Sequence, residues 1–389
     1  MKDTRCSLLW SHLCISVDGY TKPCCRWNTV DGGIEQKIPS NSISQLNSDF
    51  YKGVRSTMLS GEFPRGCLSC KSAEESIKEH NLRNRSMRDS FNEKYQSYIT
   101  ESTEFNKLKY LEIGIDNICN LSCRMCWPNA SSRLTKTFSD IGILNENYKK
   151  SEWVDLKILS QIDMSDLDRV KILGGEPLYS KRHMELLEIL KTKCDRSKIS
   201  LVYHTNGTVY DEDVVEEWSN YKNVHLVFSI DGYGIVNNYQ RSLSDFSIIE
   251  KNLKLYKTVD NVTVSSNSVI TILNVLELPK LITFLYSNEI WDYGLDFDFN
   301  RTSIIPFSDK VKEYILDSLF QKIPDKDFKY VSKMVNLKPS NTNMRSVDTI
   351  LKYIAKTDNY FGIRLQHASP RMFYLLDREY KFNEYYAKT

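Results

Sequence analysis

Residues 108–126 read Leu108-Lys-Tyr-Leu-Glu-Ile-Gly-Ile-Asp-Asn-Ile-Cys119-Asn-Leu-Ser-Cys123-Arg-Met-Cys126, and the reading of the rest of the chain follows from them. The first half alternates with period two: Leu111, Ile113 and Ile115 fall on one face, Tyr110, Glu112 and Gly114 on the other. Such alternation predicts a strand that runs into a cysteine-bearing loop. Three cysteines spaced C-x3-C-x2-C on one loop bring three thiolates within reach of one small inorganic core. Four thiolates saturate a [4Fe–4S] cluster, whereas three leave one iron open. An open metal position is what a catalytic site keeps, and a closed zinc loop is the alternative for thiolates so spaced.

Bulk composition narrows the class. The chain has 389 residues, enough for more than one domain, with 41% apolar and 26% charged residues. Its net charge of +2, with the signs mixed, gives no polyanion-binding surface, so no nucleic-acid partner is expected. No run of eighteen apolar residues suggests a membrane span, and the start MKDTRCSLLWSH does not read as a signal peptide. A reducing cytoplasm is the expected compartment, where ten cysteines point to metal or redox chemistry rather than disulfides.

Upstream, Cys14-Ile-Ser-Val-Asp18-Gly19-Tyr-Thr-Lys-Pro23-Cys24-Cys25 has an Asp-Gly turn between two short alternating runs. Asp-Gly suits a two-residue hairpin turn, so a β-hairpin is expected that brings Cys14 beside Cys24 or Cys25. A helix is expected from Ser44, with Leu46, Phe50, Val54 and Met58 on one face. Pro64-Arg-Gly66-Cys67-Leu-Ser-Cys70 then supplies a turn and a C-x2-C pair. Two sequence-distant cysteine pairs make a strong metal signal, for tetrahedral zinc or for iron–sulfur. Residues 71–100 are polar and helical in pattern; Arg83, Arg85 and Arg88 read as a solvated face, with an anionic ligand as the alternative.

Downstream, strand and helix patterns alternate. Strand-like runs at Arg169–Leu173, Ile199–His204, Val224–Phe228, Asn261–Ile270 and Tyr293–Asn300 each lead into or follow an amphipathic helix, the first of these helices apolar at Met184, Leu187 and Leu190. With Leu108–Ile115 they make six units, which predict a parallel sheet with right-handed crossovers closed as a barrel, a partial barrel or an open sheet. Gly174-Gly175-Glu176-Pro177 follows the second strand, where two glycines let backbone approach a ligand or simply make a turn. Asn206 ends the third strand, and Ser229-Ile-Asp231-Gly232 ends the fourth, ahead of Tyr239-Gln-Arg241. Asn206 and Asp231 read equally well as turn or cap residues. Residues 311–389 look helical, interrupted at Pro339–Asn343, and Cys6 and Cys194 read as inert buried thiols. His12 and His204 adjoin motifs but read as structural.

The cysteine loop and the glycine pair about fifty residues on resemble the radical S-adenosylmethionine (SAM) superfamily. That resemblance covers about residues 1–310 and selects, for the fold class, an α/β partial (β/α)6 barrel with the site at the strands' C-terminal ends. It implies a [4Fe–4S] cluster on Cys119, Cys123 and Cys126, whose open iron chelates SAM for reductive cleavage to a hydrogen-abstracting 5′-deoxyadenosyl radical. Met125 stands where the family usually has an aromatic residue against adenine. Gly174, Gly175 and Glu176 would hydrogen-bond the SAM amino group. Ser229 and Asp231 would lie near ribose or carboxylate, Arg241 would neutralise the carboxylate, and Asn206 would add a polar contact.

The hairpin and C-x2-C pair resemble a Twitch domain, the shorter relative of the SPASM domain, placed here ahead of the barrel. The resemblance implies an auxiliary [4Fe–4S] cluster on Cys14, Cys24, Cys67 and Cys70, with Cys24 favoured over Cys25 because the ligand follows the proline. A cluster with four cysteines cannot ligate substrate, so it would accept an electron, favouring oxidation or cross-linking. Domains are expected at 1–100 (cluster domain and linker), 101–310 (partial barrel) and 311–389 (helical extension). A flavodoxin- or ferredoxin-type protein would donate electrons. The expected substrate is a peptide or protein, with an aminosugar-like small molecule or a non-catalytic iron–sulfur or zinc module as alternatives.

Overall fold

The computed structural model describes residues 4–33, 44–79, 87–150, 152–337 and 345–389. Arg83, Arg85 and Pro339–Asn343 lie outside the described residues. The strands are β1 (His12–Ile15), β2 (Thr21–Lys22), β3 (Tyr110–Gly114), β4 (Ser122–Cys123), β5 (Arg169–Leu173), β6 (Ser200–Thr205), β7 (Asn223–Ser229), β8 (Arg241–Ser242), β9 (Val262–Ile270) and β10 (Tyr293–Phe297). All six expected repeat strands form, within a few residues of their expected ends. The chain falls into two compact units: one runs up to Asn117 and adds Lys150–Tyr203 and Glu212–Val224, while the other comprises Ile118–Lys149, His204–Asp211 and His225–Thr389.

In the first unit, β1 and β2 form a hairpin, with Cys14 opposite Lys22 and Ile15 opposite Thr21; the Ser16 N–H donates to the Tyr20 carbonyl at 2.8 Å, so the loop has three residues, Val17 to Gly19, and not the expected two. The turn works because Gly19 takes φ +82°, which an L side chain resists. β1 also pairs in parallel with β3, from His12↔Tyr110 to Ile15↔Ile113, and β3 continues to β5 and β5 to β6. The hairpin therefore extends the sheet that carries β3, and residues on both sides of position 100 share one unit. β3 is buried at every position, as a parallel strand covered on both faces must be.

The helix Asp49–Leu59 is capped by Ser48, which accepts from the Tyr51 N–H, and it buries Tyr51, Val54 and Met58. Val54 and Met58 pack with Leu9, Trp10 and Trp27 in a core that Cys6, Cys24 and Cys67 border. The helix Arg182–Lys193 buries His183, Leu186, Leu187 and Leu190, and leaves Met184 exposed, so its inward face is turned from the one the spacing suggests. Arg88 is neither solvated nor open to a ligand: it donates to both oxygens of the buried Glu74 carboxylate at 2.7 Å.

In the second unit, β9 and β10 pair in parallel from Ser266↔Tyr293 to Ile270↔Phe297. β4 and β8 form a separate antiparallel ribbon. The C-terminal stretch is helical as expected, with helices Asp309–Leu319, Asp325–Val335, Val347–Phe361 and Pro370–Tyr380. Ser346 caps the third of these by accepting from the Thr349 N–H, and Gly362 at φ +68° ends it. No described helix is long and apolar enough to cross a membrane.

Candidate functional site

The cysteine loop belongs to the second unit, and the β4–β8 ribbon sets its electrostatics. The ribbon's register puts Cys123 opposite Arg241, and the Arg124 N–H donates to the Gln240 carbonyl at 2.9 Å. Arg241 Nη1 then lies 3.8 Å from Cys123 Sγ. The Cys126 N–H donates to the Cys123 carbonyl at 3.0 Å, which folds the loop tightly. Burial pushes the Cys123 and Cys126 thiols up, and the Arg241 guanidinium opposes that for both. Charge on Cys119 or Cys126 would raise Cys123 further. Arg301, whose Nη1 donates to the Cys126 carbonyl at 2.8 Å, lies over the Trp127 ring and adds a second cation. A three-cysteine loop beside two buried guanidiniums suits a metal–thiolate core that carries net negative charge.

A buried arginine inside the motif anchors the loop to the C-terminal helices. Arg124 donates from Nη1 to Asp358 Oδ1 at 2.7 Å and from Nε to the Tyr239 carbonyl at 2.8 Å. The Tyr239 and Tyr386 hydroxyls also donate to Asp358, and the Tyr353 hydroxyl donates to the Arg124 carbonyl at 2.6 Å. Sequence reasoning passes over Arg124, Arg301 and Asp358. The available signal is a charged residue within a buried cysteine loop, which requires a partner somewhere in the chain.

The other residues expected near SAM in this unit are mostly engaged with protein. Arg241 Nε lies 2.8 Å from Asp231 Oδ2 as an ion pair, both side chains being almost wholly buried. Asp231 also accepts from the Val269 N–H at 2.7 Å, and its carbonyl accepts from Asn274. Burial raises the Asp231 carboxyl and Arg241 opposes the rise. Asn206 donates to Asn120 Oδ1 at 2.9 Å and accepts from the Thr208 N–H, while Asn120 donates to Thr208 Oγ1. That exchange ties the end of β6 to the cysteine loop. Ser229 and Met125 are half-buried.

The Gly174–Pro177 turn lies in the first unit. The Gly175 N–H donates to the Asp116 carbonyl at 2.9 Å, and a Cβ on Gly174 would stand 2.6 Å from that same oxygen. Backbone approach is therefore what glycine provides at position 174. Glu176 is buried, and its side chain accepts from the Leu178 N–H at 3.2 Å to start the next turn.

The N-terminal cysteines, in the same unit, separate into two groups. Charge on Cys6 would raise Cys24 and Cys67, and charge on Cys70 would raise Cys6 and Cys67. Burial holds Cys6 and Cys67 at about 12. The Asn28 N–H donates to the Gly66 carbonyl at 3.0 Å, which joins the hairpin's exit to the C-x2-C turn. Cys6, Cys24 and Cys67 border one core, and Cys70 lies within charge range of Cys6 and Cys67. Cys14 faces Glu112 and Cys25 instead. The reason is strand geometry: Cys14 shares one face of β1 with His12, and β3 presents Glu112 to that face.

Comparison with known proteins follows the same lines. Residues 114–285 match the Radical SAM superfamily, a family of enzymes. A curated relative, the radical SAM cyclopropyl synthase TigE of Paramaledivibacter caminithermalis, is 24% identical over 247 residues, which cover 61% of this chain and 50% of that protein. The chain spans about half the length of that relative. Among solved structures, native anSMEcpe with bound AdoMet is 18% identical over 58% of this chain and 62% of its own, with a TM-score of 0.41. Streptococcus suis SuiB bound to the precursor peptide SuiA is 20% identical over 55% of this chain and 46% of its own, with a TM-score of 0.37.

Proposed function

We propose that the chain is a radical SAM enzyme that oxidises or cross-links a peptide or protein substrate. The observation that carries the reading is the three-cysteine loop Cys119–Cys126, which lies within the stretch that matches the superfamily and is held by Arg241, 3.8 Å from Cys123 Sγ, and by Arg301 from further along the chain. When bound, a [4Fe–4S] cluster and SAM supply one-electron cleavage to methionine and a 5′-deoxyadenosyl radical that abstracts hydrogen from substrate carbon. The three cysteines would hold that cluster through their thiolates. Arg241 and Arg301 favour the thiolate form by placing positive charge beside buried sulfur. Arg124 keeps the loop's shape by fixing its backbone against Asp358. Gly174, Gly175 and Glu176 would receive the amino group of SAM, and Met125 would border its adenine. Ser229 and Asn206 would offer polar contacts from strand ends.

Cys6, Cys24, Cys67 and Cys70 are the set that would hold the auxiliary cluster: the first three border one core, and Cys70 lies within charge range of Cys6 and Cys67. A cleft of about 690 Å³ in the second unit begins at Trp127, next to Cys126, and Arg301, Arg345, Lys352 and Lys356 line it. Its size supports a ligand as large as a peptide segment, and its cations suit carboxylates. The kinship to a cyclopropyl synthase supports radical chemistry on a carbon skeleton. A flavodoxin- or ferredoxin-type donor would deliver the electron.

Anaerobically reconstituted protein given dithionite and SAM should release 5′-deoxyadenosine, and Cys126→Ala should abolish the release. Equal yield from the variant would sink the assignment.

A further inference from the structure

Apart from the cysteines that would hold the clusters, the first unit holds a buried mixed-donor group. A ring nitrogen of His12, Cys14 Sγ and a carboxylate oxygen of Glu112 all lie within 4.8 Å of one another, and all three side chains are at least nine-tenths buried. Sheet register assembles them: His12 and Cys14 are two apart on β1, so they share a face, and Glu112 pairs with Cys14 across the parallel β1–β3 ladder.

His12 is already oriented as a ligand. Its Nδ1 lies 3.3 Å from the Pro23 carbonyl, which can only accept, so Nδ1 carries the proton. Nε2 is then a lone-pair donor, and it is a buried atom with no hydrogen-bond partner among the described residues. A histidine that donates one nitrogen to a backbone carbonyl and keeps the other bare has the usual arrangement of a metal-binding imidazole. The neighbouring polar groups do not account for that bare nitrogen. Tyr110 Oη at 3.1 Å and Lys171 Nζ at 3.6 Å both address Glu112 Oε2. Cys25, exposed on the hairpin's exit, lies outside this group of donors, so a fourth ligand would be Cys25 after a local movement or a water.

We propose that His12, Cys14 and Glu112 bind a divalent metal ion of the zinc type, separate from either iron–sulfur centre. One nitrogen, one oxygen and one or two sulfurs are the donors that a borderline-soft ion accepts, and zinc takes four ligands tetrahedrally. Its bonds of about 2.0–2.3 Å set tetrahedral donors roughly 3.3–3.8 Å apart, inside the 4.8 Å that bounds the group here. Such an ion would pin the N-terminal hairpin to β3, the strand that leads into the cysteine loop.

The test uses the full chain with its iron loaded anaerobically, so that the cluster cysteines are occupied, followed by one equivalent of zinc and desalting. About one zinc per chain should remain, and zinc-edge X-ray absorption should show one or two sulfur neighbours together with nitrogen or oxygen. His12→Ala should lower zinc affinity at least tenfold while iron per chain stays constant, and Glu112→Gln serves the same purpose if His12→Ala fails to fold. No retained zinc, a four-sulfur shell, or unchanged zinc in both variants would overturn the proposal. So would loss of iron from Cys14→Ser, which would assign Cys14 to the auxiliary cluster instead.

Discussion

Arg241 shows how one residue can carry two readings that a substitution can separate. By resemblance it neutralises the SAM carboxylate; in the fold it is paired with Asp231 and reaches Cys123. Breaking a buried ion pair leaves an uncompensated charge, at a cost of about 3–5 kcal/mol. Arg241→Ala should therefore lower the denaturation midpoint and reduce iron content, because Cys123 and Cys126 lose their shared cation. A variant that keeps its midpoint and its iron but binds SAM weakly would restore the ligand role. Glu176 is the contrasting case. Glutamine at 176 still accepts the Leu178 N–H, so Glu176→Gln should leave unfolding unchanged. If the carboxylate contacts the SAM amino group, equilibrium dialysis should show affinity falling about ten- to a hundredfold, as loss of about 1.5–3 kcal/mol requires. Unchanged affinity would make Glu176 a turn residue only.

Elements differ in how much of their role the sequence displays. The repeat strands were legible because burial forces alternation or continuous apolar runs, as at Leu111, Ile113, Val170 and Ile172. The hairpin was legible because Asp18-Gly19 marks a tight turn, but not its loop length, since Gly19 at positive φ ends a three-residue loop as readily as it closes a two-residue one. The helix Val347–Phe361 was legible as a helix, but its function was not. Arg124 and Asp358 meet across 234 positions, and no local pattern encodes a contact at that separation. The helix supplies Tyr353 and Asp358 to the cysteine loop, so its integrity should govern the loop's. Asp358→Ala leaves Arg124 buried without its carboxylate, again a cost of about 3–5 kcal/mol. The expected result is iron lost from the three-cysteine loop, with the N-terminal set still loaded: about half of the wild-type iron, and little 5′-deoxyadenosine. Full iron with full cleavage would show that the helix does not hold the loop.

For the molecule as a whole, the open question is which cysteines serve which centre. Spacing alone groups Cys14 with Cys24, because a hairpin joins its ends, and spacing cannot report which face of the strand a thiol occupies. The parallel β1–β3 pairing, a contact between segments almost a hundred residues apart, turns Cys14 towards Glu112 and leaves Cys6 as the fourth neighbour of Cys24, Cys67 and Cys70. Two substitutions of equal chemistry then have opposite expected outcomes. Two [4Fe–4S] clusters correspond to roughly eight irons per chain. Cys6→Ala should remove about half of them, because three thiolates and a buried gap replace a closed set. Cys14→Ala should keep them all, and should keep the brown charge-transfer absorption in a protein that also lacks Cys119, Cys123 and Cys126. The reverse pattern, iron kept without Cys6 and lost without Cys14, would mean that loading rearranges the hairpin to draw Cys14 off the face it shares with His12. That outcome would exclude the separate zinc-type site as well, since one thiolate cannot serve both.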